Sequence, residues 1–354
     1  MGGDEPMAYW SGTLATRLLD VTRDPSALDS TGYWVTAVSF EGEVICARFR
    51  DVRRVPAVKC SRRPWHGPRP EDWSTSLRKD EYVAAVARIR ERIAAGDIYQ
   101  ANLCRLLSAP IAPDSDIMAL ADLLRRHNPA PFAGTIRLPA HGVEVTTASP
   151  ELFVRRRGRT VTSMPIKGTG QTEADLLEKD QAENVMIVDL VRNDLGQVCT
   201  PGSIQVPDLC TVQQHPGLVH LVSSVDGELA PDAGWPQLLR ATFPPGSVTG
   251  TPKKKSLELI EELERGPRGL YCGAIGWVDA DRRHGELAVG IRTFFINRPE
   301  GLLRFGTGAG ITWGSDPLRE WEETELKARR LLAIASRPDI ERRAPQGVAD
   351  SAGL

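Results

Sequence analysis

Neither sign of charge dominates this chain of 354 residues: 44 Lys and Arg stand against 46 Asp and Glu, a formal net charge of −2. Binding to nucleic acid or to an anionic membrane surface calls for a basic excess, so neither is expected. No apolar run approaches the roughly 18 residues of a membrane span. The start, Met1-Gly2-Gly3-Asp4-Glu5-Pro6, is acidic, lacks an apolar signal core and sets Pro where a myristoylation signal wants Ser or Thr, so a cytoplasmic location is expected. The cysteines, Cys46, Cys60, Cys104, Cys199, Cys210 and Cys272, form no C-x-x-C pair, and no His pattern completes a zinc site. They read as reduced, mostly buried thiols. No short-period repeat is present. What is there, 41% hydrophobic and 25% charged residues, is the composition of a globular chain with a sizeable core. The length suits one large domain or two ordinary ones.

Short apolar runs such as Tyr33 to Val38, punctuated by Glu41-Gly42, predict strands up to about Phe49. A Pro- and Arg-rich connector follows at Arg62 to Pro70 and reads as a surface loop. From Asp80 the texture changes. Val83, Val86, Ile89 and Ile93 recur at helical spacing and Gly96 ends the helix. Ile98 to Leu107 reads as a strand with Gln100, Asn102 and Cys104 on one face. A long helix is predicted over Glu173 to Asp194, and another starts at Pro252, a residue favoured at the first helical position. Strand-like runs follow at Tyr271 to Val278, Leu287 to Ile296 and Leu302 to Trp313, then a helix over Asp316 to Ala335. The reading is α+β: residues 1–79 as strands and connector of the same sheet system, 80–336 as the catalytic unit, and 337–354 as a frayed polar tail.

Two carboxylate pairs stand out. Asp180 and Glu183 lie three apart on one predicted helix, Glu320 and Glu323 three apart on another, with Lys327 four beyond. Such spacings put side chains on one helix face. Together they could hold a hard cation such as Mg²⁺, although acidic pairs on helices are most often solvated surface. Gly246 to Lys253 lacks the spacing of a Walker A loop; what remains is a glycine- and hydroxyl-rich turn into a helix N-terminus. Gly306-Thr307-Gly308-Ala309-Gly310 has no helix directly after it and is no dinucleotide fingerprint. Lys167, just before a glycine turn, is either a solvated charge or, if buried, a nucleophile or base; Glu151, if buried, is a general acid. Residue chemistry alone thus reaches an anion-binding, Mg-dependent enzyme and no substrate.

Taken in order, the segments Gly96 to Leu103, Ser149-Pro150-Glu151, Pro165 to Thr169, Ala182 to Asp194, Val219 to Ser223, Phe243 to Lys253, Tyr271 to Gly276, Ile291-Arg292-Thr293, Gly308-Ala309-Gly310 and Glu323-Thr324-x-x-Lys327 resemble the chorismate-utilising enzymes. The resemblance covers about residues 80 to 335. It implies a layered α/β/β/α fold with two large, mostly antiparallel sheets. Glu183 and Glu323, with Asp180 and Glu320 beside them, match the Mg²⁺ ligands that hold the ring carboxylate of chorismate. Arg292 and Tyr271, with backbone N–H groups of Gly308, Ala309 and Gly310, match the clamp on the enolpyruvyl carboxylate. Gly168, Thr169, Thr249 and Lys327 match the pocket wall. Glu151 matches the acid that protonates the departing C4 hydroxyl, and His220 a histidine linked to pyruvate elimination.

Two positions sort the family. Members that add water to chorismate carry a lysine where this chain has Gln100, and anthranilate-forming members carry alanine where it has Lys167. Lysine there is similar to the aminodeoxychorismate-forming branch, in which it is held to attack C2 before ammonia enters at C4. No amidotransferase segment with a nucleophilic cysteine is recognised, so the resemblance implies ammonia from a separate glutamine amidotransferase subunit and a product feeding 4-aminobenzoate and folate synthesis. The arginine usual after Lys-Gly-Thr is replaced by Gly170-Gln171, and the Leu-Leu-Glu-Ser motif of tryptophan feedback is missing. Formation of anthranilate or 2-amino-2-deoxyisochorismate, or a non-catalytic chorismate-binding subunit, are the alternatives.

Overall fold

The computed structural model describes residues 5–55, 61, 64–170, 172–176, 178–215 and 218–337. Its strand pairings are all antiparallel and trace one continuous path. The path runs Gln205–His215, Leu218–Glu228, Thr160–Met164, Leu152–Arg157, His284–Val289, Ala274–Asp279, Tyr33–Val38 and Val44–Arg54. It continues through Thr13–Thr22, Met7–Trp10, Phe132–Leu138, Val143–Ser149, Thr293–Asn297, Leu302–Ile311 and Gln100–Pro110. Three short strands dock at its ends: Ile166–Gly170 on Leu218–Glu228, and Ser74–Thr75 and Gly250–Thr251 on Gln100–Pro110. The large antiparallel sheet with helices outside is the architecture expected above. Its two halves are hydrogen-bonded to each other through Met7–Trp10 and Thr13–Thr22.

The largest group of buried side chains draws on both halves, with Val35, Val154 and Leu287 from one and Trp10, Ile136 and Val145 from the other. Burial on both faces explains why Val143–Ser149, Val-Glu-Val-Thr-Thr-Ala-Ser, shows no clean alternation. Its buried Glu144 is held by Arg298 at 2.5 and 2.6 Å.

Six helices flank the strands among the described residues: α1 Lys79–Ala94, α2 Ile117–His127, α3 Glu178–Gly196, α4 Trp235–Thr242, α5 Lys253–Leu263 and α6 Pro317–Ala335. The start of α1 fits its sequence, since Glu81 accepts the Arg78 N–H at 2.8 Å and acidic residues favour a helix N-terminus. Gly96, with φ +81°, follows its end. Tyr82, Val86 and Ile89 of α1 pack with Leu103, Leu259 and Ile311, each apolar side chain contributing about 1.5–3 kcal/mol by leaving water. Asp316 caps α6 by accepting N–H bonds from Leu318 and Arg319.

Several boundaries differ from the sequence reading. The helix expected over Glu173 to Asp194 is a short 3₁₀ turn, Glu173–Asp175, followed by α3. Pro252 precedes α5 as its cap residue instead of opening it. The run Leu287 to Ile296 is two strands broken at Gly290 to Arg292, where Arg292 takes a left-handed backbone (φ +51°). Tyr271 and Cys272 lie in a turn ahead of Ala274–Asp279. Helices α2 and α4 have no counterpart in the sequence reading. The tail beyond Arg337 and part of the Arg62 to Pro70 connector lie outside the described residues. No described helix is long and apolar enough to cross a membrane.

Candidate active site

The two ends of the strand path come back together, and the residues singled out from the sequence gather where they meet. Lys167 belongs to Ile166–Gly170 at one end. Gln100 and Gly310 belong to the last two strands at the other. A Cβ on Gly310 would fall onto Gln100 Nε2 and lie 3.1 Å from Lys167 Nζ, so only glycine leaves room for both. The carboxamide oxygen of Gln100 is buried and has no hydrogen-bond partner. Such an acceptor is costly unless a ligand supplies the donor.

Glu151 sits in the bend between Val143–Ser149 and Leu152–Arg157, its N–H donating to Ser149 Oγ at 3.2 Å. Burial pushes its carboxyl up to about 7; the Ser247 hydroxyl, the Lys167 charge, the Ile166 N–H and the Arg292 charge pull the other way. Burial likewise draws the Arg292 guanidinium below its usual value, opposed by Glu151. Lys167 Nζ donates to the Ser247 carbonyl at 3.2 Å. Acid, amine and guanidinium therefore share one neighbourhood, with Glu151 buried and Lys167 and Arg292 half-buried.

Gly308 and Gly310 line the adjoining edge. Their partners across the ladder, Cys104 and Asn102, send their N–H groups away, to Glu264 Oε1 (2.8 Å) and to the Thr249 carbonyl (2.7 Å). By antiparallel alternation the N–H groups of Gly308 and Gly310 point to the opposite edge. The strand Thr293–Asn297 covers that edge only from Leu302 to Phe305. N–H groups that face an edge no strand covers can hold a carboxylate.

The loop bearing Ser247 is fixed from behind. Arg268, 2% exposed, donates to the carbonyls of Val248 (2.8 Å) and Asn102 (2.7 Å) and to Glu264 Oε1 (2.6 Å). Thr249 is fully buried; its hydroxyl faces the Pro245 and Gly246 carbonyls at 3.1 and 3.2 Å and holds the turn. The Tyr271 ring covers Gly306, and its hydroxyl lies 3.9 Å from Cys104 Sγ. Cys104 and Cys272 are buried with their sulfurs 4.0 Å apart.

The carboxylate pairs lie on two helices, α3 and α6. Asp180 of α3 packs against Gly168, whose left-handed φ of +76° leaves no space for a Cβ. Glu183 lies one turn further on. On α6, Glu320 is buried and Glu323 half-exposed, paired at 2.6 Å with Lys327, which also donates to the Gly308 carbonyl at 3.1 Å. Among the described residues no group of three or more His, Cys, Asp or Glu is arranged around a metal position. His220 is buried on Leu218–Glu228, opposite Thr169 in register.

The sequence reading passed over two features. Ser247 joins Glu151 and Lys167, and only its place in the Gly246 to Lys253 turn pointed to it. Asp194 of α3 accepts Lys253 of α5 at 2.6 Å, where both line a surface groove of about 1070 Å³ with Tyr99, Val185 and Leu257. None of the residues singled out as site candidates lines that groove. A small pocket of about 20 Å³ with a mostly apolar lining borders Glu151 and Ser247.

A family model described as chorismate binding enzyme matches residues 21–333. Anthranilate synthase component 1 of Streptomyces coelicolor is 38% identical over 309 residues, covering 82% of this chain and 59% of that protein. Aminodeoxychorismate synthase component 1 of Klebsiella aerogenes is 38% identical over 272 residues, covering 73% and 59%. The chain thus spans less than two thirds of the length of these relatives. Anthranilate synthase component I of Streptococcus pneumoniae superposes with a TM-score of 0.75 at 23% identity, over 94% of this chain and 91% of that one. The menaquinone-specific isochorismate synthase MenF of Escherichia coli gives 0.75 at 18%, over 94% and 89%. These structural likenesses establish the fold.

Proposed function

The chain belongs to the chorismate-binding enzyme family, and from that premise we propose that it converts chorismate and ammonia to 4-amino-4-deoxychorismate. The observation that carries this reading is Lys167: its amine reaches the Gln100–Gly310 end of the site within electrostatic range of the buried Glu151. An amine placed there can act as a nucleophile toward a bound substrate.

Glu151, held protonated by burial, gives its proton to the C4 hydroxyl, which leaves as water. The Lys167 nitrogen bonds to C2 as the double-bond pair shifts and the C4–O bond breaks. Ammonia then bonds to C4, the pair shifts back, and the C2–N bond to Lys167 breaks. The excess proton of the new C4 amine returns to Glu151, so the cycle closes with one water released per ammonia taken up. Arg292 and the open N–H groups of Gly308 and Gly310 hold the enolpyruvyl carboxylate; Gln100 offers a hydrogen-bond acceptor to an amine.

The donor chemistry of the flanking helices suits Mg²⁺, which keeps several waters and needs only one or two protein carboxylates. Glu183 and Glu323 would hold it, with Asp180 and Glu320 beside them, and when bound it supplies charge for the ring carboxylate. Ammonia would come from a separate glutamine amidotransferase subunit, in keeping with relatives named as component 1. The product would serve 4-aminobenzoate synthesis.

A second reading, anthranilate formation, is favoured by the 38% identical anthranilate synthase relative and by the buried His220. Mass spectrometry decides. The purified chain with chorismate, Mg²⁺ and an ammonium salt should give an amine-for-hydroxyl product retaining the enolpyruvyl group. Anthranilate with free pyruvate would overturn the proposal.

A further inference from the structure

A second buried side-chain oxygen without a hydrogen-bond partner, Thr251 Oγ1, stands on the strand next to Gln100. The strand Gln100–Pro110 runs between Gly250–Thr251 and Leu302–Ile311, and Thr251 is opposite Gln100 in register. Opposed residues of an antiparallel ladder send their side chains to one face, with Cβ atoms about 4.5–5.5 Å apart. On the other flank the Gln100 amide nitrogen occupies the space left by the bare Gly310, so Oε1 is the arm still open. Thr251 also lines the outer groove of about 1070 Å³, which Gln100, 1% exposed, does not reach. Thr251 therefore belongs both to the groove wall and to the ladder that carries Gln100.

We propose that Thr251 is an ammonia-binding residue, its hydroxyl oxygen and the Gln100 carboxamide oxygen each accepting one N–H and so turning the nitrogen lone pair toward the ring. The inference rests on the reading above that ammonia is the nucleophile. Ammonia carries three N–H donors and one lone pair, and the lone pair has to face the carbon it attacks. Whatever holds the molecule must then accept its N–H bonds and leave the lone pair free. A carboxamide oxygen can only accept, and a threonine hydroxyl oxygen accepts as well. One nitrogen reaches two oxygens up to about 6 Å apart, at about 3 Å each, which suits side chains that face each other across a ladder. Two buried acceptors are costly while empty, and one molecule of ammonia satisfies both. The place of Thr251 on the groove wall gives the pair an opening to solvent.

The test compares the two KM values of the full chain at fixed pH, with an ammonium salt as the nitrogen source. Thr251→Val keeps the shape of the side chain and removes the hydroxyl. It should raise the KM for ammonia about tenfold and leave the chorismate KM within about twofold of the parent's. Thr251→Ser, which restores the hydroxyl on a smaller side chain, should bring the ammonia KM back to within about twofold. A valine variant with the parent's ammonia KM overturns the inference. So does a serine variant impaired as much as the valine one, or a valine variant in which both KM values rise together, since either marks a role in packing alone. Anthranilate from the parent would overturn the reaction proposed above and leave ammonia as the nucleophile, so the same comparison still decides Thr251. No amine product from the parent at any ammonium concentration would overturn both.

Discussion

Glu151 and Lys167 meet at a single residue: the Ser247 side chain helps draw the Glu151 carboxyl down against burial, and the Ser247 carbonyl accepts Lys167 Nζ at 3.2 Å. The group proposed to release the leaving hydroxyl and the group proposed to replace it are thus indexed to one loop, which Arg268 clamps to the strand Gln100–Pro110.

Lys167→Ala should therefore abolish amine-for-hydroxyl product, by a factor on the order of a thousand or more, while chorismate binding measured by fluorescence quenching stays within a few-fold. Full product formation by this variant would remove the covalent role.

Glu151→Gln should separate function from stability. The folded carboxyl titrates near 7, above its unfolded value of 4.5, so the folded state binds more protons between these values. Its stabilising contribution is fully present below pH 4.5 and is lost as pH rises through 7. At pH 8 the glutamine variant should be more stable than the parent by about 3 kcal/mol, the advantage shrinking toward pH 4.5, as read by denaturant unfolding. The same variant should be inactive. In the parent, turnover per unit of free ammonia should fall above about pH 7.

Gly310→Ala adds a methyl group onto Gln100 Nε2 and against Lys167 Nζ. Because the clash is with side chains at the site, the fold should survive by circular dichroism. Catalytic efficiency with chorismate should drop by about a hundredfold. Unchanged kinetics would show that the two side chains swing clear without cost.

How much of this was legible in the sequence differs by element. Helix α1 was legible because it lies on the surface and keeps a helical stripe, and Gly96 stops it. Val143–Ser149 was not, because both its faces are buried and the alternation stops at Thr147, where it would place an apolar residue. The break at Arg292 was hidden because Ile291, Thr293 and Phe294 beside it are strand formers, and only the fold imposes the left-handed backbone there. Glu151, Lys167, Gln100 and Gly310 could be listed from motifs. That Ser247 ties two of them together could not, since the hydrogen bonds join segments about 80 or more residues apart.

Arg268 and Glu264 form a buried pair, 3% and 8% exposed at their side chains. Removing one charge leaves the other uncompensated, so Arg268→Met should cost about 3–5 kcal/mol in urea unfolding. Glu264→Gln should lose less, because its amide oxygen can still accept the Cys104 N–H.

Glu183→Gln and Glu323→Gln should each weaken Mg²⁺ binding at least tenfold in calorimetry with chorismate present, and EDTA should stop turnover of the parent. Retained Mg²⁺ affinity in both variants would exclude these carboxylates as ligands.

The meeting of the two ends of the strand path also has a consequence for folding. Lys167 and Gly310 stand 143 residues apart in the chain and near opposite ends of the strand path, so their approach is a non-local contact of the kind that forms slowly. Helical signal from α1, made of neighbours in sequence, returns early on refolding. Turnover should return later, once the segments bearing Lys167 and Gly310 have met.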